Sequence, residues 1–172
     1  PMIPALLGRK ILEASDRYMI PQYHSLDILG DYVMSVKVAN IVEVLVLVPF
    51  LFAWQPFFYS VSNRPDAKEL FARVACHFVT ISVLVLLGML TVHNALIDFL
   101  GSGNFTTSSW VVMLLVTAAL LNGVQYAISP GVHLSSKLVW EAVFMILAAC
   151  LNIGLNFLLI PEQGAFGAAL AT

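Results

Sequence analysis

The chain has 172 residues, of which 60% are hydrophobic and only 10% are Asp, Glu, Lys or Arg. A soluble domain carries about 25% charged residues, so this composition is too poor in charge to coat a globular core. With a mean hydropathy of +0.91 it predicts an all-α, polytopic transmembrane helix bundle, and the net charge of −2 leaves no basic field to attract nucleic acid.

The first predicted helix covers residues 1–22. Pro1 and Pro4 are tolerated at a helix start, where the missing N–H would be unpaired anyway. Arg9, Lys10, Glu13, Asp16 and Arg17 fall within an arc of roughly 120° at about 100° per residue. Leu7, Ile11, Ala14 and Tyr18 occupy the opposite face. Two readings follow. The helix lies in the membrane interface with its charges to water, or it spans the bilayer with its charged stripe on a water-filled cavity. Charge inside a membrane needs such a cavity or a partner. Arg9 with Glu13 and Glu13 with Arg17 are i,i+4 pairs.

Pro21 to Gly30 reads as a connection, and the second helix is predicted over 31–58. Val44 to Asn63 holds no Asp, Glu, Lys or Arg, which is enough to cross a bilayer at about 20 apolar residues per span. Pro49 should kink it. Lys37, Asn40 and Glu43 recur at steps of three and form a second polar stripe that drifts around the helix. The plainer account has Lys37 snorkelling to the interface and Glu43 pairing locally. The segment from Ser60 to Arg73 holds Arg64, Lys68 and Arg73 beside Asp66 and Glu69, with a helix start signalled at Pro65-Asp66.

The third helix is predicted over 72–97, with His77 and His93 near its ends in structural roles. A Gly/Ser/Thr/Asn turn follows from Asp98 to Ser109. The fourth helix is predicted over 110–129, with Trp110 as an interfacial anchor. Asn122, Gln125, Tyr126 and Ser129 share one of its faces, either as helix–helix glue or as a cavity lining. The fifth, over 138–160, places Glu141, Ala148, Asn152 and Asn156 on one face. Pro161 to Gly164 reads as a tight turn, and a sixth apolar segment over 165–172 is cut short. The sequence is therefore expected to be a single membrane domain from a longer chain, with about five full spans and a truncated sixth. Cys76 and Cys150 lie in apolar runs and are expected to be small apolar fillers, since their spacing suits neither a disulfide framework nor a metal.

Connections after the second and fourth helices carry Arg64, Lys68, Arg73 and Lys137. Those after the first, third and fifth carry no Lys or Arg but do carry Asp27, Asp98 and Glu162. The positive-inside rule places the first set in the cytoplasm. Asp16 and Arg17 then reach the outer half of the first helix, at a depth comparable to Lys37 and Glu43 on the returning helix.

Three stretches carry a resemblance. "PMIPALLGRKILEASDRYMI" has a Pro-x-x-Pro start and a Ser-Asp-Arg before apolar residues. "LGDYVMSVKVANIV" has a Gly-x-Tyr with a Lys further on, and "LNIGLNFLLIPEQGAFGAALAT" pairs two Asn with an Ile-Pro and a Gly/Ala-rich continuation. Together, in this order and spacing, they resemble bacterial polysaccharide flippases of the multidrug/oligosaccharidyl-lipid/polysaccharide exporter superfamily, from the seventh helix to the start of the twelfth. The resemblance implies two six-helix lobes facing each other across a V-shaped cavity and working by alternating access, with this chain as most of the second lobe and its first two helices on the cavity. It carries over to Asp16, Arg17 and Lys37. Arg9 and Lys10 depart from the pattern, where apolar or small residues are commoner.

The expected function is therefore a non-enzymatic flippase of the cytoplasmic membrane, moving undecaprenyl-pyrophosphate-linked oligosaccharide outward for O-antigen, capsule or exopolysaccharide. Arg17 and Lys37 would meet the pyrophosphate as charged donors. Asp16 and Glu43 would hold those cations in place, or take up a proton or sodium ion in a coupling step. Arg9 and Glu13 extend the same substrate-binding stripe, and no cofactor or metal is expected. The nearest alternative is an exporter of drugs or other lipid-linked precursors on the same fold. A membrane-embedded enzyme would need a base, nucleophile or metal cluster, and His24, His77, His93 and His133 are scattered over different helix ends. A purely structural subunit would leave the charged stripes unexplained.

Overall fold

In lipid every backbone polar group must be satisfied within the protein, so a chain this apolar has helices or a closed barrel open to it. The computed structural model describes residues 14–101, 105, 107–131 and 138–172. It is helical throughout, with no strand among the described residues. The first described helix, α1, covers 14–23 and ends as the His24 N–H donates to the Ile20 carbonyl at 2.9 Å. Ser25, in extended conformation, precedes α2 (Leu26–Val42), whose first turn holds Asp27 against the positive helix terminus. The second helix thus begins at Leu26 rather than at 31, and Gly30 lies within it.

The disturbance expected at Pro49 takes the form of a π turn, Glu43–Leu47, which joins α2 to α3 (Val48–Val61) without a break. Pro49 has no N–H to give and its ring crowds the preceding turn. The Val48 N–H reaches back five residues to the Glu43 carbonyl, so one residue is absorbed ahead of the proline. Pro56 lies farther along α3.

At 62–66 the chain turns. Arg64 grips Asp66 through Nε and Nη2 at 2.9 and 2.7 Å, and the Leu70 N–H donates to the Asp66 carbonyl at 3.1 Å, opening α4 (Ala67–Gly101). An Arg73–Glu69 ion pair at 2.7 Å lies along its first turns. α5 spans Ser109–Ile128. Buried His93 joins the two helices, its ring bonding the Met89 carbonyl at 2.9 Å and the Ser109 hydroxyl at 2.8 Å. α6 spans Leu138–Gln163 and carries Pro161 inside it, so the turn expected from Pro161 is deferred to Gly164. There φ is +56° and ψ −130°, a region open to glycine alone. The short α7 (Ala165–Ala171) folds back on α6. A Cβ at Gly167 would stand 2.5 Å from the Leu159 carbonyl oxygen, so this contact also requires glycine.

Two apolar clusters hold the bundle. The larger joins Met19 and Ile20 of α1 to Val38 and Val42 of α2, Val112 and Val116 of α5, Ile160 of α6 and Ala168 of α7. The smaller sits beside the π turn, where Leu47, Phe78 and Ala127 meet. Phe50, Trp54 and Phe78 form an aromatic column there, and the Trp54 indole donates to the Tyr126 carbonyl at 3.1 Å.

Four helical stretches are long and apolar enough to cross a membrane: Leu26–Val61, Ala67–Gly101, Ser109–Ile128 and Val143–Gln163. The first two run about 50 Å at 1.5 Å per residue, longer than the roughly 30 Å hydrocarbon layer, and so overreach the shorter spans expected from hydropathy. Phe52, Leu84, Leu151 and Leu158 point outward from them. Cys76 and Cys150 are also exposed on outward faces and do not fill the core.

Candidate functional site

The polar residues of this chain gather at two adjoining places. The first is built on Asp16, which is 4% exposed on α1. A buried carboxylate is costly unless hydrogen bonds replace its water, and four elements supply them. The Tyr32 hydroxyl of α2 donates to Oδ2 at 2.6 Å, and the Asn156 amide of α6 donates to Oδ1. The Thr172 hydroxyl after α7 donates to Oδ2 at 3.2 Å, and the neighbouring Ser15 hydroxyl lies 3.3 Å from Oδ1. Asn152, one turn before Asn156, accepts from Ser15 at 2.9 Å and from Asn156 at 3.1 Å, and donates to the Ala171 carbonyl at 3.0 Å. Asn156 is fully buried, yet its Oδ1 has no hydrogen-bond partner among the described residues. Among those residues the cluster therefore holds a carboxylate with neutral donors and keeps one acceptor oxygen in reserve.

The second place is a cavity of about 1170 Å³ that opens beside this cluster between α1, α2, α5, α6 and α7. Asp16, Arg17, Tyr18, Asn40, Glu43, Asn122, Gln125 and Tyr126 contribute its polar wall, with Val36, Leu114, Leu121 and Leu170 among the apolar lining. Arg17 is exposed and makes no ion pair among the described residues. Glu43 is half-buried at the start of the π turn. Tyr32 lies in the wall of this cavity and also lines a smaller one of about 380 Å³ with His24, Asp31, Thr107 and Glu162. Tyr32 thus belongs to both linings, and its hydroxyl is bonded to Asp16.

The structure brings together Asp16, Arg17 and Glu43 of the residues expected at a binding site. Lys37 is exposed on α2 and is not part of the cavity lining. Arg9 and Glu13 lie outside the described residues, as does Lys10. Of the fourth-helix face read as Asn122, Gln125, Tyr126 and Ser129, the first three line the cavity and Ser129 does not. Asn152 and Asn156, expected on one face of the fifth helix, both join the Asp16 cluster. Tyr32, the Tyr of the Gly-x-Tyr stretch, and Thr172, at the end of the Gly/Ala-rich stretch, are not among the expected site residues, because each reaches Asp16 only through the packing of α2 and α7 on α1. No group of three or more His, Cys, Asp or Glu that could hold a metal occurs among the described residues. Comparison with protein-family models, curated proteins and solved structures gives no match.

Proposed function

We propose that the protein is a transporter of the cytoplasmic membrane that flips lipid-linked oligosaccharide, with this chain as most of one lobe, five spans and the beginning of a sixth. The observation that carries the reading is a wide cavity with a polar wall, holding an exposed arginine that makes no ion pair among the described residues, in a chain whose outward faces are apolar. Such an arrangement lets an isoprenoid tail stay in the bilayer while a polar head group passes through the protein. Arg17 meets the pyrophosphate with two-pronged charge-assisted hydrogen bonds. The Asp16 cluster serves the coupling step. Taking up a proton or a sodium ion there would engage the reserved Asn156 oxygen and rearrange the bonds that tie α1 to α2, α6 and α7. Lys37 keeps its place by resemblance, and its position off the cavity makes it the lesser contributor in this conformation.

The test is complementation. The full-length reading frame is expressed in a bacterium lacking its polysaccharide flippase, and surface glycan is scored. Restored glycan that Arg17→Ala removes, with folded protein still in the membrane, is the expected result. Rescue that Arg17→Ala leaves intact overturns the role of Arg17. Absence of rescue across several glycan pathways turns the assignment to the second reading, an exporter of amphiphilic cations. Glu43 with Tyr18 and Tyr126 in the same wall favours that reading, and efflux of cationic dyes measures it.

A further inference from the structure

We propose that the cavity holds a separate saccharide subsite, formed by Asn40 of α2 and Glu43 of the π turn together with Asn122, Gln125 and Tyr126 of α5, apart from the pyrophosphate contact at Arg17. The inference rests on the lipid-linked oligosaccharide reading and adds to it which residues hold the glycan. Three carboxamides line the cavity, Asn40 and Gln125 exposed and Asn122 half-buried, so their donors and acceptors are open to a ligand. No hydrogen bond to another described residue engages the side chain of Asn40, Asn122 or Gln125, and all three line the cavity. Among the described residues they join no two helices.

Their chemistry suits a neutral polyol. Each carboxamide presents two N–H donors and an acceptor oxygen, which matches neighbouring hydroxyls that both give and take hydrogen bonds. Glu43 adds an acceptor, and a phosphate would gain nothing from it. Asn122 and Gln125 stand at i,i+3 on one face of α5, as do Asn40 and Glu43 across the α2–π junction. The two pairs are thus carried on adjoining helices with their backbones fixed. The Trp54 indole pins the Tyr126 carbonyl at 3.1 Å, which steadies the end of α5 that carries Gln125 and Tyr126. The Tyr126 ring offers an apolar face with a polar tip, suited to the C–H side of a pyranose.

The experiment measures binding of three synthetic lipids to the purified full-length protein. They are a short isoprenyl pyrophosphate, the same lipid with a disaccharide on its pyrophosphate, and an isoprenyl disaccharide glycoside without phosphate. The expected result is that the disaccharide strengthens binding. Asn122→Ala combined with Gln125→Ala should remove about tenfold of that gain, the size expected for two modest hydrogen bonds, and leave the sugarless pyrophosphate unaffected. Ile128→Ala, on the outward face of α5, controls for a general disturbance of the helix and should change none of the three. Equal binding of sugared and sugarless lipids overturns the subsite and leaves the pyrophosphate reading standing. Equal weakening of all three lipids by the double variant also overturns it, because the amides would then be supporting the cavity as a whole. Binding of the phosphate-free glycoside without binding of either pyrophosphate supports the subsite and removes the role given to Arg17.

Discussion

The Tyr32 hydroxyl donates to Asp16 at 2.6 Å, and the residue lines both cavities. Tyr32→Phe keeps the ring and removes the donor, leaving a buried carboxylate short of one partner. The expected cost is about 1–3 kcal/mol, read as a lower unfolding temperature in detergent, with Thr172→Val costing less because its bond is longer. Asp16→Asn keeps the volume and removes the charge. It should leave a folded protein whose transport no longer responds to pH or to sodium, and a response that survives would place the coupling group elsewhere. The loop at 62–66 behaves differently. The Arg64 guanidinium, bonded to Asp66, holds that carboxyl below its usual range. The folded pKa is depressed, so this contribution is present above the unfolded carboxylate value, about 3.9, and is lost only as pH falls through the lower folded value. The pair is well exposed and worth little. Titrating thermal stability of Asp66→Asn against the parent between pH 5 and 8 should give parallel curves.

At the scale of elements, the junction of α6 and α7 sets the Asp16 cluster, because Asn152 and Asn156 come from one helix and Thr172 follows the other. Gly167→Ala drives a Cβ against the Leu159 carbonyl, a backbone atom that cannot swing aside. The helix pair should part, drawing Thr172 from Asp16, so under the proposed function transport should fall by more than stability does. Gly164→Ala imposes an L side chain on φ +56° and should cost about 1–3 kcal/mol, visible in unfolding temperature alone. The sequence made much of this legible. The span at Ser109–Ile128 differs by a residue from its expected bounds, since a long uncharged run with a Trp and Ser/Thr start leaves little choice. The start of the second helix was misplaced because Gly30 and Asp31 look like a stop, whereas Ser25 and Asp27 form the helix start. The polar stripes were legible as faces, yet their targets were not. Steps of three turn by about −60° each, so Asn40 and Glu43 reach the cavity while Lys37, roughly 120° from Glu43, does not. Which stripe meets which depends on how α2 lies against α5, and nothing in either segment encodes that alone.

At the scale of the whole molecule, four stretches long and apolar enough to cross a membrane, with outward-pointing Phe and Leu, give the described residues a surface suited to hydrocarbon. Cys76 and Cys150 sit on those outward faces, in α4 and α6. A charged maleimide does not enter hydrocarbon. Both cysteines should therefore resist a membrane-impermeant maleimide in intact cells and react once denatured in detergent. This gives a quiet background on which the orientation can be read. Between Asn63 and Gln163 lie three crossings, α4, α5 and α6, so positions 63 and 163 must face opposite sides if each helix spans. The positive-inside rule assigns 63 to the cytoplasm, beside Arg64, Lys68 and Arg73. Asn63→Cys should label only after permeabilisation, and Gln163→Cys in intact cells. The reverse pattern would invert the chain and put Arg17 toward the inner half of the bilayer, where it would meet a pyrophosphate at loading rather than in transit. Labelling of both from one side would mean that one of the three helices does not cross, and the shortest, Ser109–Ile128, is the one whose single Trp110 anchor would then have to hold it in the interface.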